Sequence, residues 1–396
     1  PDCDWIVNPN RSADESGLGY LCGTGVAFYL LIALKMKLEE MDYFSNNKIA
    51  VPDLKSELDL FALATLADQV ELKEDNRALV RVGVQALKKT SRPGLRELLW
   101  RCLNQLDTFS AKDLSFSVAP KINAAGRLGR VDVATELLLC EDPARCAELV
   151  DQIMNFNSER VEIQNNVLTE AKAMAQSQPS GDESPVTLVY GPWHEGVLGI
   201  VAAHLVDAFQ RPAIVLGETE GGDRYKGSMR SFGEFSCVKC LEENQELLVK
   251  FGGHPAAAGL EIKKSNLPAF ETALKNESYQ QLLLQTVTRN FDAELDETFS
   301  MKEVEELTQL DPWGQGNDEP VFYLKGVEKH RIQILKEKHV KFPLKNGSSL
   351  IGFGMAKFVA DNPDARAFDF LVVPEINVFR NRRNAQLRAI SIRTHN

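Results

Sequence analysis

The chain of 396 residues and 44.1 kDa is long for one hydrophobic core, so two or three domains are expected. Its 44% hydrophobic and 26% charged content is ordinary for a soluble globular protein. No apolar run reaches membrane-spanning length and no basic-then-apolar leader is present, so a cytoplasmic protein with no membrane partner is expected. Seven cysteines, an odd number, do not read as a disulfide framework. Cys237 and Cys240 form a CxxC without a second pair nearby, which reads as two helical neighbours rather than a zinc site. The net charge of −11 argues at first against nucleic acid, but residues 321–396 hold fourteen Lys or Arg against six Asp or Glu, a balance of +8 that leaves −19 elsewhere. A basic terminal module on an acidic body is the footprint of a local polyanion contact; a basic but inert surface is the plain alternative.

Residues 1–141 read as the C-terminal part of an α/β domain. The first residue is Pro1, not methionine, and the chain reads as a piece of something longer. Asp4 to Val7 is a strand candidate ended by Asn8-Pro9-Asn10, and Gly23-Thr24-Gly25 opens a helical stretch over Val26 to Met36. Leu58 to Leu66 is an almost unbroken apolar run ending at Ala67-Asp68. On spacing alone Asp68 is either a cleft-edge acid or a cap. Asn123 to Arg130 is a small-residue segment with two arginines, of which Arg127 suits an interdomain salt bridge. Asp142-Pro143 then supplies an N-cap and a first-turn proline for a connecting helix, 142–180, with a weak point at Asn155-Phe156-Asn157-Ser158.

The linker Gln178 to Pro185 opens a smaller α/β domain, 181–284. Its expected order is strand Val186–Tyr190, helix Val197–Phe209, strands Ala213–Leu216 and Arg224–Ser231, helix Ser236–Lys250 and strand Gly259–Lys263. Trp193 either stacks on a base or plugs an interdomain gap, and His194 either serves a cleft or shapes its loop. Two-residue alternation puts Ser228 and Arg230 on one face. About twenty residues on, Gly252-Gly253-His254-Pro255-Ala256-Ala257-Ala258-Gly259 strips the backbone bare around one imidazole. A hydroxyl, an arginine fork and a glycine-rich turn are the parts of a phosphate clamp. A tight turn with a hydrogen-bonded histidine is the bland reading of the same turn.

Residues 285–396 begin with an acidic bridge and the turn-rich Pro312 to Pro320. Six short strands follow, Val321–Glu328, Arg331–Lys336, Val340–Lys345, Ser349–Met355, Phe368–Pro374 and Gln386–Arg393, which fit an OB-like β-barrel. Such barrels bind single strands with basic grooves and stacking rings. Lys336, Lys338, Lys341, Lys345, Arg380, Arg382, Arg383 and Arg388 supply the charge. Phe342, Phe353 and Phe379 are the ring candidates; Phe353 is expected in the core and Phe379, beside Arg380, on the surface.

The string Gly252 to Gly259 resembles the GGHxxAAG signature of the DHH phosphoesterase superfamily. Ala64-Thr65-Leu66-Ala67-Asp68, Asn123 to Gly129, Trp193 to Val201 and Pro312-Trp313-Gly314-Gln315-Gly316-Asn317 run in family order over nearly the whole chain and resemble its RecJ family of single-strand-specific exonucleases. The resemblance implies 5′→3′ degradation of single-stranded DNA in recombination and repair, through water activated by a manganese or magnesium pair. It implies Asp68 as a metal ligand, Asp68 and His254 as catalytic residues, and Arg127, Ser228, Arg230, Ser231, Gly252, Gly253 and His254 as the grip on phosphate. Trp193, His194, Lys336, Lys338, Lys341, Phe379, Arg380, Arg382 and Arg383 would contact the nucleic acid, and a single-strand-binding protein and a helicase are the implied partners. No Asp-His-His occurs anywhere in the sequence. The two-metal site is therefore expected to be incomplete and the chain inactive alone. Two rival readings are a superfamily phosphodiesterase for short oligonucleotides or cyclic dinucleotides, and a non-catalytic single-strand-binding scaffold.

Overall fold

The computed structural model describes residues 3, 5–11, 13–103, 105–178, 185–276, 278–279, 290–379 and 382–395. Asp4, residues 179–184 of the expected linker, residues 285–289 of the acidic bridge, Arg380 and the Phe379 side chain lie outside that set. The chain forms two compact units, one of Arg92–Arg101 and Pro120–Thr288, the other of Pro1–Ser91, Cys102–Ala119 and Arg289–Asn396.

The first unit is organised by a five-stranded sheet and the helix Pro143–Ser177. Asp142 caps that helix through Ala144 N–H and Pro143 enters its first turn; its 35 residues run about 52 Å at about 1.5 Å each. The expected break at Asn155–Ser158 does not occur. Ser158 Oγ folds back onto Met154 O at 3.0 Å, and the Asn157 side chain accepts from Arg160 at 2.7 Å instead of competing for the backbone.

Strands β1 (Thr187–Gly191), β2 (Ala213–Glu218), β3 (Arg224–Arg230), β4 (Leu248–Gly253) and β5 (Ala257–Lys263) lie in the order β1-β2-β3-β5-β4. The β1–β2 pair is parallel, joined over helix Glu195–Phe209, and the other pairs are antiparallel. Alternation divides the sheet. Leu188, Ile214, Leu216, Tyr225, Met229, Leu260 and Ile262 face one core, while Val189, Ala213 and Val215 face the helix layer with Val197, Val201 and Val167. The expected helix Ser236–Lys250 is shorter, Cys237–Glu243. Asn244 turns its amide back to Cys240 O and a 3₁₀ turn follows, freeing Leu248–Gly253 to become the edge strand that pairs with β5. Cys237 and Cys240 are neighbours on this helix. Burial pushes their thiols up to about 12 and about 11, so both are inert.

In the second unit, helix Leu58–Ala67 is apolar all round and therefore interior, with Phe61, Ala62, Leu63 and Leu66 buried against helices Gly23–Glu40 and Glu74–Leu87. The strand expected near the N-terminus is absent over residues 5–7, where Trp5 is exposed and the backbone is irregular. The sheet of this unit contains β6 (Ala293–Glu294), β7 (Phe322–Glu328), β8 (Gln333–Leu335), β9 (His339–Pro343), β10 (Ser349–Gly352), β11 (Ala367–Phe379) and β12 (Arg382–Thr394). Their order is β6-β7-β11-β12-β10-β9-β8, around a core of Val327, Val340, Phe342, Leu350, Phe368, Phe370, Val372 and Leu387. Among the described residues no helix is long and apolar enough to cross a membrane.

Candidate nucleic-acid interface

On the helix-facing side of the first sheet, Ser228 of β3 stands level with Gly259 of β5, and Gly259 with Gly252 of β4. The next row pairs Arg230 with Ala257. Beside the hydroxyl and the guanidinium the sheet is therefore almost bare backbone. The β4–β5 turn closes with His254 N–H donating to Ala257 O at 2.8 Å. It is tied to the end of β3 by Ser231 N–H on Ala256 O at 3.0 Å, and to the next helix by Cys237 N–H on Pro255 O at 2.8 Å. Gly253 has φ +149°, and a Cβ there would sit 2.5 Å from Ala257 O and from Ala258 Cα, so no other residue fits. His254, Gly252 and Gly253 are exposed.

Arg230 Nη1 donates to Ser228 Oγ at 2.6 Å and to Met229 O at 2.9 Å. Gly199, on helix Glu195–Phe209, makes room for it: a Cβ there would be 2.6 Å from Arg230 Nη2 and 3.2 Å from Ser228 Oγ. Gly196, three residues earlier, admits the backbone of Arg127, since its Cβ would meet Arg127 O at 2.2 Å. Arg127 in turn donates from Nη1 to Gly196 O at 3.1 Å. Burial lowers the Arg230 guanidinium from its usual value, and the positive charge of Arg127 adds to that. Arg127 keeps exposed surface, yet the protein packed around its guanidinium lowers it too by desolvation. Both remain cations. Neither has a carboxylate partner among the described residues; Arg230 beside the Ser228 hydroxyl and Arg127 at the Gly196 turn of the helix are donors able to receive an oxyanion.

Other expected contacts fall out differently. Trp193 is only 6% exposed, packed on the helix-layer core with its indole N–H on Glu170 Oε2 at 2.8 Å, so it plugs the fold and offers no ring face to a base. His194 is exposed, with Nδ1 accepting from Gly196 N–H at 3.1 Å as the N-cap of the helix. Asp68, in the second unit, is an exposed residue at the end of helix Leu58–Ala67. Among the described residues no three His, Cys, Asp or Glu side chains gather as metal ligands. One carboxylate does not hold a pair of divalent cations, so these residues do not by themselves fit a two-metal centre.

In the barrel, Lys336, Lys338 and Lys341 are exposed around the β8–β9 turn, where Lys336 and Glu337 both have positive φ. Arg382 is exposed as well, while Arg383 pairs with Glu305 at 3.2 Å. Arg388 is held by Glu319 at 2.7 Å and Glu375 at 3.2 Å, which removes it from the free basic surface. The rings exchange roles. Phe342 is buried at the core, whereas Phe353 follows the end of β10, 57% exposed and edge-on to His339 at 5.3 Å. The alternation of β9 and the strand end at Gly352 carried the information; the register that reads it comes from pairing.

Residues 184–278 match the DHHA1 domain family and residues 291–391 the RecJ OB domain family. The chain is 34% identical to the single-stranded-DNA-specific exonuclease RecJ of Dickeya dadantii, over 98% of this chain and 70% of that protein. It is 31% identical to the Bacillus subtilis RecJ over 98% of this chain, but spans about half (48%) of that longer protein. The crystal structure of Thermus thermophilus RecJ in complex with Mn2+ superposes with a TM-score of 0.79 at 29% identity, covering 94% of this chain and 53% of that one. The corresponding Mg2+ complex gives 0.77 at 28%, covering 98% and 57%. The two domain matches and a similarity that extends over almost the entire sequence show that the chain belongs to the RecJ family.

Proposed function

We propose that this chain is the substrate-gripping part of a metal-dependent 5′→3′ exonuclease that hydrolyses phosphodiester bonds of single-stranded DNA in recombination and repair. One observation carries the reading. Arg230 is fixed beside Ser228 and the bare Gly252–Gly259 row and Arg127 against Gly196 of the adjoining helix, with no carboxylate among the described residues to neutralise them, an arrangement suited to a phosphate oxyanion. Arg230 presents its fork from a rigid strand and Ser228 adds a hydroxyl. The Gly252-Gly253-His254 turn lets the sugar-phosphate backbone approach closely. The barrel adds Lys336, Lys338, Lys341 and Arg382 as phosphate contacts and Phe353 as a stacking ring. Manganese or magnesium would supply the hydroxide and the charge stabilisation for bond cleavage. Asp68 would contribute one carboxylate to it, and the remaining site residues hold the strand instead of cutting it.

The test is binding and cleavage on the same protein. A 5′-phosphorylated single strand should bind better than duplex, and Arg230→Ala should weaken it by about 1.5–3 kcal/mol, roughly one to two orders of magnitude, at unchanged Tm. With Mn2+ added, the chain alone should leave a 5′-labelled strand intact. Processive degradation tracking with the purified chain would overturn the second expectation, and equal affinity of Arg230→Ala the first. A single-strand-binding protein and a helicase are the partners to test by co-purification.

A further inference from the structure

The helix Pro143–Ser177 carries an arginine that the phosphate grip has not used. Arg160 lies between Phe156 and Gln164, each one turn away on the same helix face. Phe156 receives the guanidinium of Arg130 at 5.1 Å, which places the end of helix Ala119–Arg127 against this stretch. Gln164 meets His204 of helix Glu195–Phe209 at 3.2 Å. Arg160 therefore sits where three helices converge, on the side from which Arg127 reaches Gly196.

Its hydrogen bonds are unusual for a half-buried cation. Nη1 donates to Gln164 Oε1 and Nη2 to Asn157 Oδ1, both at 2.7 Å and both on its own helix. Nε is buried and, among the described residues, without a partner. Two of five donors are thus used, on neutral amides, and no carboxylate faces the group among the described residues. Burial lowers the guanidinium from its usual value and the Arg127 charge adds to it. Arg127 and Arg230 meet the same helix one turn apart, at Gly196 and Gly199, and the Arg127 charge acts on both Arg230 and Arg160. Desolvated like charges repel, and no described carboxylate compensates them. A polyanion does.

We propose that Arg160 contacts a second phosphate of the bound strand, one step along from the phosphate held by Arg230 and Ser228, with Arg127 bridging the two. Asn157 and Gln164 hold its fork in place. The proposal rests on the reading of the Arg230 shelf as a phosphate grip, and it adds a second subsite on a different element.

The experiment compares thymidine 5′-monophosphate with the 5′-phosphorylated thymidine dinucleotide, titrated calorimetrically into the chain and its variants. Wild type should bind the dinucleotide more tightly than the mononucleotide. Arg160→Gln should leave mononucleotide affinity and Tm unchanged and lower dinucleotide affinity about tenfold to a hundredfold, the value of one charge-assisted bond. Arg160→Lys, which keeps the charge and loses the fork, should recover part of that loss. Arg230→Ala should weaken both ligands alike. If Arg160→Gln matches wild type on the dinucleotide while Arg230→Ala loses both, the second subsite falls and the grip stands. If Arg160→Gln loses both ligands equally, Arg160 shares the first phosphate and the proposal is wrong. If Arg160→Gln lowers Tm while Arg160→Lys binds the dinucleotide no better than Arg160→Gln, the residue is structural. If wild type binds neither ligand, the grip and the subsite fall together.

Discussion

Gly199→Ala separates the phosphate grip from the stability of the fold. Gly199 lies inside helix Glu195–Phe209, and an alanine Cβ there would stand 2.6 Å from Arg230 Nη2 and 3.2 Å from Ser228 Oγ. The first contact cannot persist. The atom that must yield is the tip of a flexible side chain, so the backbone can stay. Alanine in a helix interior is favoured over glycine by about 0.8–1 kcal/mol, which offsets the cost of displacing the guanidinium and keeps Tm near wild type. The displaced Nη1 loses its 2.6 Å bond to Ser228 and its aim at the shelf. One charge-assisted phosphate bond is worth about 1.5–3 kcal/mol, so single-strand affinity should fall about tenfold to a hundredfold. Fluorescence anisotropy with a 5′-phosphorylated labelled oligonucleotide, beside a thermal melt, reads both quantities. Affinity within twofold of wild type would refute the reasoning, and so would a melt several degrees lower with affinity intact.

Phe353→Ala should lower single-strand affinity by about 1–3 kcal/mol per base lost while Tm stays put, because the ring is 57% exposed; anisotropy on the full chain checks it, and an unchanged constant removes the ring from the interface. Asp369, 3% exposed, is pushed up by burial but receives Tyr323 O–H, Gly326 N–H, His395 Nδ1 and Arg393 Nε, and these bonds outweigh burial and hold its carboxyl below the usual range. With a depressed folded value, its stabilisation is complete above the unfolded value of about 3.9 and is lost as pH falls through the folded one. Asp369→Ala should therefore cost about 1–3 kcal/mol at neutral pH in denaturant titration, and the gap to wild type should close in acid. Gly253→Ala should lower Tm outright, since both atoms it meets at 2.5 Å are backbone and φ is +149°.

Periodic features were legible in the sequence alone. The apolar run 58–66, the capped start of the helix at Asp142-Pro143 and the shared face of Ser228 and Arg230 each follow from spacing and side-chain chemistry that act locally. Features decided by pairing were not. Leu248-Val249-Lys250-Phe251 continues a helical pattern as well as a strand, and only β5 beside it selects the strand. Trp193 has the chemistry of a base-stacking residue, and only the bond to Glu170 on a neighbouring helix shows it inside. Gly196 and Gly199 form a three-residue small-small step, a readable sign of close approach, but what approaches is visible only in the fold. Arg160 belongs to no motif; its meaning arises from three helices meeting.

The acidity of the chain is compatible with the proposed polyanion contact because interaction is decided within a few ångströms. At physiological ionic strength exposed charges are screened over about 8 Å, so most of the −19 outside residues 321–396 is not felt at a contact. The same argument discounts the basic balance of the barrel. Arg331 is taken by Glu297, Arg388 by Glu319 and Glu375, and Arg393 by Asp369 and Tyr323. These are construction bonds, and their charge is neutralised inside the module. What can still release counterions from a strand is a cation with no carboxylate partner. Among the described residues such cations include Lys336, Lys338, Lys341, Lys345, Lys357, Arg366 and Arg382 in the barrel and Arg127, Arg160 and Arg230 on the sheet unit. Whether a cation's charge is available to a ligand is thus set by its nearest carboxylate, which neither net charge nor a count of basic residues reports.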